Sequence, residues 1–322
     1  MRFGIVGTNF ISDSFAEACI AAGHRPAAVY SRAKETGEVF AERHGIENVF
    51  TSYTDMLDSG LIDAVYVASP TMCHKHHTIE AIKRGIPSLT EKMITATLDE
   101  FIDLKDALAS HSGVLVEAMR IDFDDMIDIL KRELPKIGEI RSASFEYRQY
   151  SRRYDKFKEG VVLNAFEPKM KNSALADIGI YPLHAAISLF GMPSDVESES
   201  KFLHNGFESE GRIKLSYDRF FAEVIYSKTV EGANVSKIVG ELGEITVDKI
   251  NEPKTVTLTL ADGTTEVFRA DEKKSNMVRE ISEFARIAMG DKKRGDDLLS
   301  VTEKTMSCVD IIYKQNEIEK FF

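Results

Sequence analysis

Short runs of consecutive apolar residues alternate with helically spaced ones through the first third of the chain. Phe3-Gly-Ile-Val-Gly7 precedes Phe15, Ala16, Cys19 and Ile20, and Ala27-Ala-Val-Tyr30 precedes a charged helical stretch from Ala33 to His44. Ala64-Val-Tyr-Val-Ala68 leads into a helical segment ending near Gly85. Pro87-Ser-Leu-Thr90 leads into Leu98 to Leu108, and Val114-Leu-Val-Glu-Ala118 closes the series. Strands without polar alternation are buried on both faces, so the pattern predicts a doubly wound parallel α/β sheet.

Near Arg120 the period changes. After a helical piece from Asp122 to Leu134, Arg212-Ile-Lys-Leu-Ser-Tyr217 alternates cleanly, and Thr255, Thr257 and Thr259 interleave with Val256, Leu258 and Leu260. Asp262-Gly263 then separates this run from Thr265-Glu-Val-Phe268, a hairpin signal. An antiparallel sheet with one apolar face is expected. Two amphipathic helices finish the chain, one carrying Met277, Ile281, Phe284 and Ala288, the other Leu298, Met306, Val309, Ile312 and Tyr313. The predicted domains are 1–120 and 121–322.

The length of 322 residues suits two domains, and 43% hydrophobic with 29% charged residues is a folded composition. A formal net charge of −11 speaks against a nucleic-acid backbone or an anionic membrane as partner. Cys19, Cys73 and Cys308 fall in no metal or redox pattern, which fits buried thiols in a reducing compartment. The first apolar run is too short for a signal-peptide core, and no later stretch approaches a membrane span. A cytoplasmic protein is expected.

The turn after the first strand, Gly7-Thr-Asn-Phe-Ile-Ser12, stands where a dinucleotide fold carries GxGxxG. Gly7 would permit the tight turn, Asn9 would tolerate a left-handed conformation, and Ser12 is small enough for close packing. The helix beginning there would aim unpaired N–H groups at a phosphate. Gly7, Thr8, Asn9, Phe10 and Ile11 are therefore candidate coenzyme residues. A strand-turn-helix without ligand is the plain alternative. The second strand ends Tyr30-Ser31-Arg32, without the acid that commonly accepts hydrogen bonds from the ribose of NAD. A guanidinium suits a 2′-phosphate, so NADP is favoured over NAD, with Arg32 as a loop-solvating residue the alternative.

Three further segments extend the pattern: Ser69-Pro-Thr-Met-Cys-His74, Glu91-Lys92-Met93 and Asp177-Ile-Gly-Ile-Tyr181-Pro-Leu-His184. In order and spacing they resemble the (T/S)PN-x-x-H loop, the Glu-Lys-Pro signature and the Asp-x-Gly-x-(His/Tyr) helix of the Gfo/Idh/MocA oxidoreductases. Tyr181 and Glu117-Ala-Met119 are similar to the branch holding glucose-fructose oxidoreductase and dimeric dihydrodiol dehydrogenases. The resemblance implies a Rossmann domain followed by an α+β domain whose open, mostly antiparallel sheet pairs in a homodimer, with a tetramer as the alternative. It also implies substrate between the nicotinamide and the second-domain helix. Thr71 and Met93 depart from the motifs, and Met93 leaves open whether the Lys92–Met93 bond is cis.

Oxidation of an alcohol needs a hydride acceptor, a base and positive charge near the developing alkoxide. Tyr181 is the candidate acid/base, with the Lys92 ammonium favouring phenolate and reaching the substrate oxygen. Asp177, Tyr181 and His184 are four and three residues apart, one face of a helix. Asp177 would orient a substrate hydroxyl or Lys92, and His184 would bind a second hydroxyl or relay a proton. A satisfied core histidine is the other reading of His184. Ser69, Pro70, Glu91, Lys92 and Glu117 follow or end parallel strands, where open sheets bind ligands, and His74 is expected near the nicotinamide or at the helix start. His74-Lys-His-His77 lacks the companion carboxylates or cysteines of a metal site, and no metal is expected. The basic, aromatic segment Tyr147 to Tyr154, with Lys169 and Lys171, reads as a wall touching polar substrate groups. The expectation is an NAD(P)-dependent oxidoreductase of a sugar, polyol or cyclic diol, and the alternative a non-catalytic nucleotide-binding sensor.

Overall fold

The apolar runs of the first third become six parallel strands: β1 (Arg2–Val6), β2 (Arg25–Tyr30), β3 (Asn48–Phe50), β4 (Ala64–Val67), β5 (Ser88–Glu91) and β6 (Leu115–Ala118). Their order is β3-β2-β1-β4-β5-β6, so the winding direction reverses between β1 and β4. Helices α1 (Phe10–Ala21), α2 (Lys34–His44), α3 (Tyr53–Asp58), α4 (Thr71–Lys83) and α5 (Leu98–His111) connect them. Ser52 caps α3 through the Asp55 N–H, and α2 stops at Gly45, whose φ of 65° ends it in the left-handed region. This computed structural model describes every residue except Ser112 and 272–274.

Two compact units result, Met1–Met119 with Ser275–Ser300, and Arg120–Lys274 with Val301–Phe322. The first boundary falls where the hydrophobic period changes. The second domain, expected to run unbroken from 121, instead loses 275–300 to the first unit. That segment holds helix α9 (Asn276–Ala288), which packs against α1. Phe284 is fully buried there, with its ring 5.9 Å from that of Phe3. Burying such a side chain contributes about 2 kcal/mol. An amphipathic pattern announces an apolar face but not which partner covers it, which is why the assignment by sequence position failed.

The second unit contains helices α6 (Asp125–Glu133), α7 (Arg153–Lys158) and α8 (Ile180–Phe190), preceded by a π-helical turn at Leu175–Gly179. Helix α10 runs from Lys292 to Asn316. The strands are β7 (Ile140–Arg148), β8 (Asp195–Phe202), β9 (Glu208–Ser216), β10 (Phe221–Ser227), β11 (Val235–Gly240), β12 (Gly243–Asp248), β13 (Thr255–Leu260) and β14 (Thr265–Arg269). They form one sheet ordered β14-β13-β12-β11-β7-β10-β9-β8, antiparallel except for β10 against β7. The Asp262-Gly263 hairpin is present, with Gly263 at φ 90°.

Alternation puts Ile213, Leu215, Val224, Tyr226, Ile245 and Leu258 inside. The opposite positions carry cross-strand ion pairs, Lys214–Glu197 at 2.6 Å, Arg212–Glu223 at 3.2 Å and Lys237–Glu244 at 2.7 Å. The outer side thus mixes these charges with exposed apolar positions such as Phe221, Val235 and Val267. No described helix is long and apolar enough to cross a membrane.

Candidate active site

A cavity of about 670 Å³ opens at the carboxyl ends of β1, β2 and β4, at the topological switch point of the first sheet. Its walls are Val6 to Asn9, Tyr30 to Ala33 with Thr36, and Ala68 to Pro70 with Cys73 and His77. Gly7 sits at φ 106°, and a Cβ there would lie 2.9 Å from the Ala68 carbonyl oxygen. Glycine is thus required twice, by conformation and by close approach.

Asn9 corrects the expectation of a left-handed residue. Its φ of −86° and ψ of 178° are extended, and it is the N-cap of α1. Its Oδ1 accepts from the Ile11 and Ser12 N–H groups at 3.1 Å, while its Nδ2 donates to the Ala68 carbonyl at 2.8 Å. Two N–H groups at the helix start are therefore already engaged. Ser12 is fully buried, as its packing role requires.

At the other end Arg32 is exposed, and the lining contains no carboxylate. The Ser31 and Thr36 hydroxyls are 2.7 Å apart. The cradle at Gly7, the strand-end location and the guanidinium fit a dinucleotide carrying a 2′-phosphate. Phe10, Ile11, His74, Glu91 and Lys92 are not among the cavity walls, and Phe10 is 71% exposed. Sequence reasoning missed Cys73 and His77. His77 lies three residues beyond the motif histidine, nearly one turn along α4, and that spacing was the available signal. Burial, followed by the neighbouring His76, His74 and Arg32, pushes His77 down to about 4, so the ring is neutral at pH 7.

His74 is buried instead of facing the cavity. Its Nδ1 lies 2.8 Å from the Met93 carbonyl and its Nε2 2.7 Å from the Ser69 carbonyl. It ties the loop after β4 to the turn after β5, and burial holds it below the ordinary histidine value. The Lys92–Met93 bond is cis. Glu117, in β6, accepts from the Ile94 N–H at 2.9 Å, and Glu91 accepts from the Tyr66 hydroxyl. Tyr66 is itself fixed by stacking on Phe15 at 3.7 Å. These carboxylates therefore brace the strand ends around Lys92, which is itself half-buried.

In the second unit Asp177 lies in the π-helical turn and Tyr181 in the first turn of α8. Asp177 is 40% exposed, and its Oδ2 lies 2.8 Å from the Nζ of Lys228, a residue the sequence reading overlooked. Tyr181 is half-buried, with its ring edge-on to Tyr147 at 6.1 Å. His184 differs from both: it is fully buried, with Nε2 2.9 Å from Asp122 Oδ2 and Nδ1 3.1 Å from Thr305 Oγ1. With both ring nitrogens engaged, His184 is the satisfied core histidine and does not offer a nitrogen to a second substrate hydroxyl. The start of the turn is held by Glu208, whose Oε2 accepts from the Leu175 N–H at 2.9 Å. Burial pushes Glu208 up to about 7.

The Gfo/Idh/MocA model, an oxidoreductase family with an NAD-binding Rossmann fold, matches residues 1–119. The scyllo-inositol 2-dehydrogenase (NADP(+)) of Bacillus subtilis is 37% identical over 298 residues, 92% of this chain and 91% of that protein. The D-xylose 1-dehydrogenase (NADP(+)) 2 of Haloferax volcanii is 26% identical, with 98% of each chain covered. The crystal structure of KijD10, a 3-ketoreductase from Actinomadura kijaniata, in complex with NADP and TDP-benzene, shares the fold. Its TM-score is 0.83 over 98% of both chains, at 21% identity. Kinship with dehydrogenases and reductases decides between the enzyme and sensor readings in favour of the enzyme. With the likeness reaching across nearly the whole chain and a dinucleotide cradle built into its first sheet, the chain belongs to the Gfo/Idh/MocA family and is an NAD(P)-dependent oxidoreductase acting on CH–OH groups.

Proposed function

We propose that this enzyme prefers NADP over NAD and interconverts a hydroxyl and a carbonyl on a sugar, polyol or cyclic diol. An inositol-like cyclic polyol, the substrate named for the Bacillus subtilis relative, is the first to test. The observation that carries the reading is the switch-point cavity, with Gly7 against the Ala68 carbonyl at one side and Arg32, unopposed by any lining carboxylate, at the other. When bound, the coenzyme supplies the two-electron acceptor or donor. Gly7, Thr8, Asn9, Ser31, Arg32, Ser69 and Pro70 hold it.

Tyr181 takes the hydroxyl proton, or returns it to the carbonyl oxygen, through its phenol. Unaided tyrosine titrates near 10, so the Lys92 ammonium is assigned the task of favouring phenolate and polarising the substrate oxygen. Asp177 accepts a hydrogen bond from a neighbouring substrate hydroxyl and orients the ring. His184, bonded to Asp122 and Thr305, holds α8 and with it Tyr181. A homodimer remains part of the proposal on the family resemblance, and sedimentation at micromolar concentration decides it. Cys19, Cys73 and Cys308 are all free thiols, which supports a reducing, cytoplasmic setting.

Purified protein with NADP⁺ and scyllo-inositol should show a substrate-dependent rise in reduced-nicotinamide absorbance. Tyr181→Phe and Lys92→Ala should each lower kcat at least roughly tenfold, with NADPH affinity within about twofold of wild type. Unchanged turnover in both variants would remove the assignment.

A further inference from the structure

Among the described residues of the second unit, Lys228 is the buried cation for which the proposed chemistry gives no role. It follows β10 directly, and its N–H donates to the Ser209 carbonyl at 2.9 Å, continuing the pairing of β10 with β9. Only 3% of the residue is exposed. A buried ammonium is costly unless its hydrogen bonds are made. Here Nζ donates to the Ala165 carbonyl at 2.8 Å and pairs with Asp177 Oδ2 at 2.8 Å. The Phe166 and Phe207 rings lie 4.8 and 5.1 Å from it, within cation–π range.

These contacts join two turns that lie twelve residues apart in the chain to the strand end that carries Lys228. Ala165 belongs to the short helical turn Asn164–Phe166, which follows α7, and Asp177 to the π-helical turn leading into α8. A carboxylate that is 40% exposed in such a turn would sample several rotamers if left to water. The ammonium fixes one of its oxygens, and the aromatic rings keep water from competing for that ammonium.

We propose that Lys228 is a positioning residue: it aims the Asp177 carboxylate at the substrate hydroxyl and fastens the Asn164–Phe166 turn to the turn that bears Asp177. The substrate part rests on the reading above that Asp177 contacts the polyol. Asp177 is the acceptor, and Lys228 acts only through it. The predicted signature is a rise in KM larger than the fall in kcat, because ground-state placement of the polyol is lost while the proton-transferring phenol stays.

The test uses the full chain with Lys228→Met, Asp177→Asn and the double variant. Methionine fills the space between the rings, and removal of the cation leaves Asp177 where water can reach it, so folding is retained. With scyllo-inositol and NADP⁺, Lys228→Met should raise KM at least roughly tenfold and lower kcat by less than about threefold, with NADPH affinity unchanged. The double variant should be no worse than the worse single one by more than about twofold, because both remove the same interaction. Amide hydrogen exchange without substrate should rise in Lys228→Met at both 164–166 and 175–179 and nowhere in the first unit.

Wild-type KM in Lys228→Met, or additive losses in the double variant, would overturn the proposal. Unchanged exchange at both segments would overturn it as well. Should the wild type oxidise no polyol, the substrate assignment falls separately, and exchange still decides whether Lys228 fastens these turns.

Discussion

In the first unit the candidate coenzyme cavity is lined by three short consecutive stretches, Val6 to Asn9, Tyr30 to Ala33 and Ala68 to Pro70, each at the carboxyl end of a strand. A glycine at the end of β1, an asparagine cap two residues on and a strand end supplying the Ala68 carbonyl form its centre. In the second unit the Asp177 turn is held by side chains from remote parts of the chain. Lys228 comes from beyond β10, Glu208 from β9, and the neighbouring His184 takes Asp122 and Thr305, 62 and 121 residues away in sequence. A site of the first kind can be read from a short motif even when two of its three glycines are gone. A site of the second kind becomes visible only when the fold brings its parts together. The two also respond differently to mutation: the first loses ligand affinity, the second loses stability or alignment.

The sharpest way to break this contrast is at His184. If it belongs to the internal scaffold, His184→Ala removes a buried partner of Asp122 and leaves a cavity, lowering unfolding free energy by about 3 kcal/mol or more in chemical denaturation. Coenzyme affinity should be unchanged. A fully stable variant that is nevertheless inactive would return His184 to the reaction itself.

A slightly smaller effect is expected at Glu208. Its folded value, raised to about 7 by burial, exceeds the ordinary carboxyl value of 4.5. Between those two values the folded protein keeps a proton that the unfolded chain has released. The associated stability is fully present below about pH 4.5 and is lost as pH rises through about 7, by about 3 kcal/mol. Glu208→Gln should flatten this slope in denaturation curves measured from pH 5 to 8. An unchanged slope would show that Glu208 titrates normally and that the turn is held by other groups.

The parallel sheet was legible because uninterrupted runs such as Ala64 to Ala68 admit few other readings, and the Asp262-Gly263 hairpin because its turn chemistry is local. The strand ends that line the first unit's cavity were legible for the same reason. The burial of His184 was left open between two readings, since Asp177, Tyr181 and His184 share a helical spacing that says nothing of what each meets. Lys228 carried no motif at all: a lysine after a β-strand is ordinarily solvated, and its aromatic neighbours Phe166 and Phe207 are 62 and 21 residues away in sequence. His74, expected near the nicotinamide or at the helix start, stands in the first turn of α4 with both ring nitrogens against carbonyl oxygens, which its motif did not foretell, because a motif marks a position and not the direction in which a ring points. The destination of α9 failed by the same logic.

The central claim is that the switch-point cavity holds a phosphorylated dinucleotide, with Arg32 reading the 2′-phosphate. Fluorescence titration of wild type and Arg32→Ala with NADPH and NADH tests it directly. Wild type should bind NADPH at least roughly tenfold more tightly than NADH, and Arg32→Ala should erase most of that difference while leaving NADH affinity within about twofold. Equal affinity of the wild type for both coenzymes, or a preference that survives loss of Arg32, would contradict it.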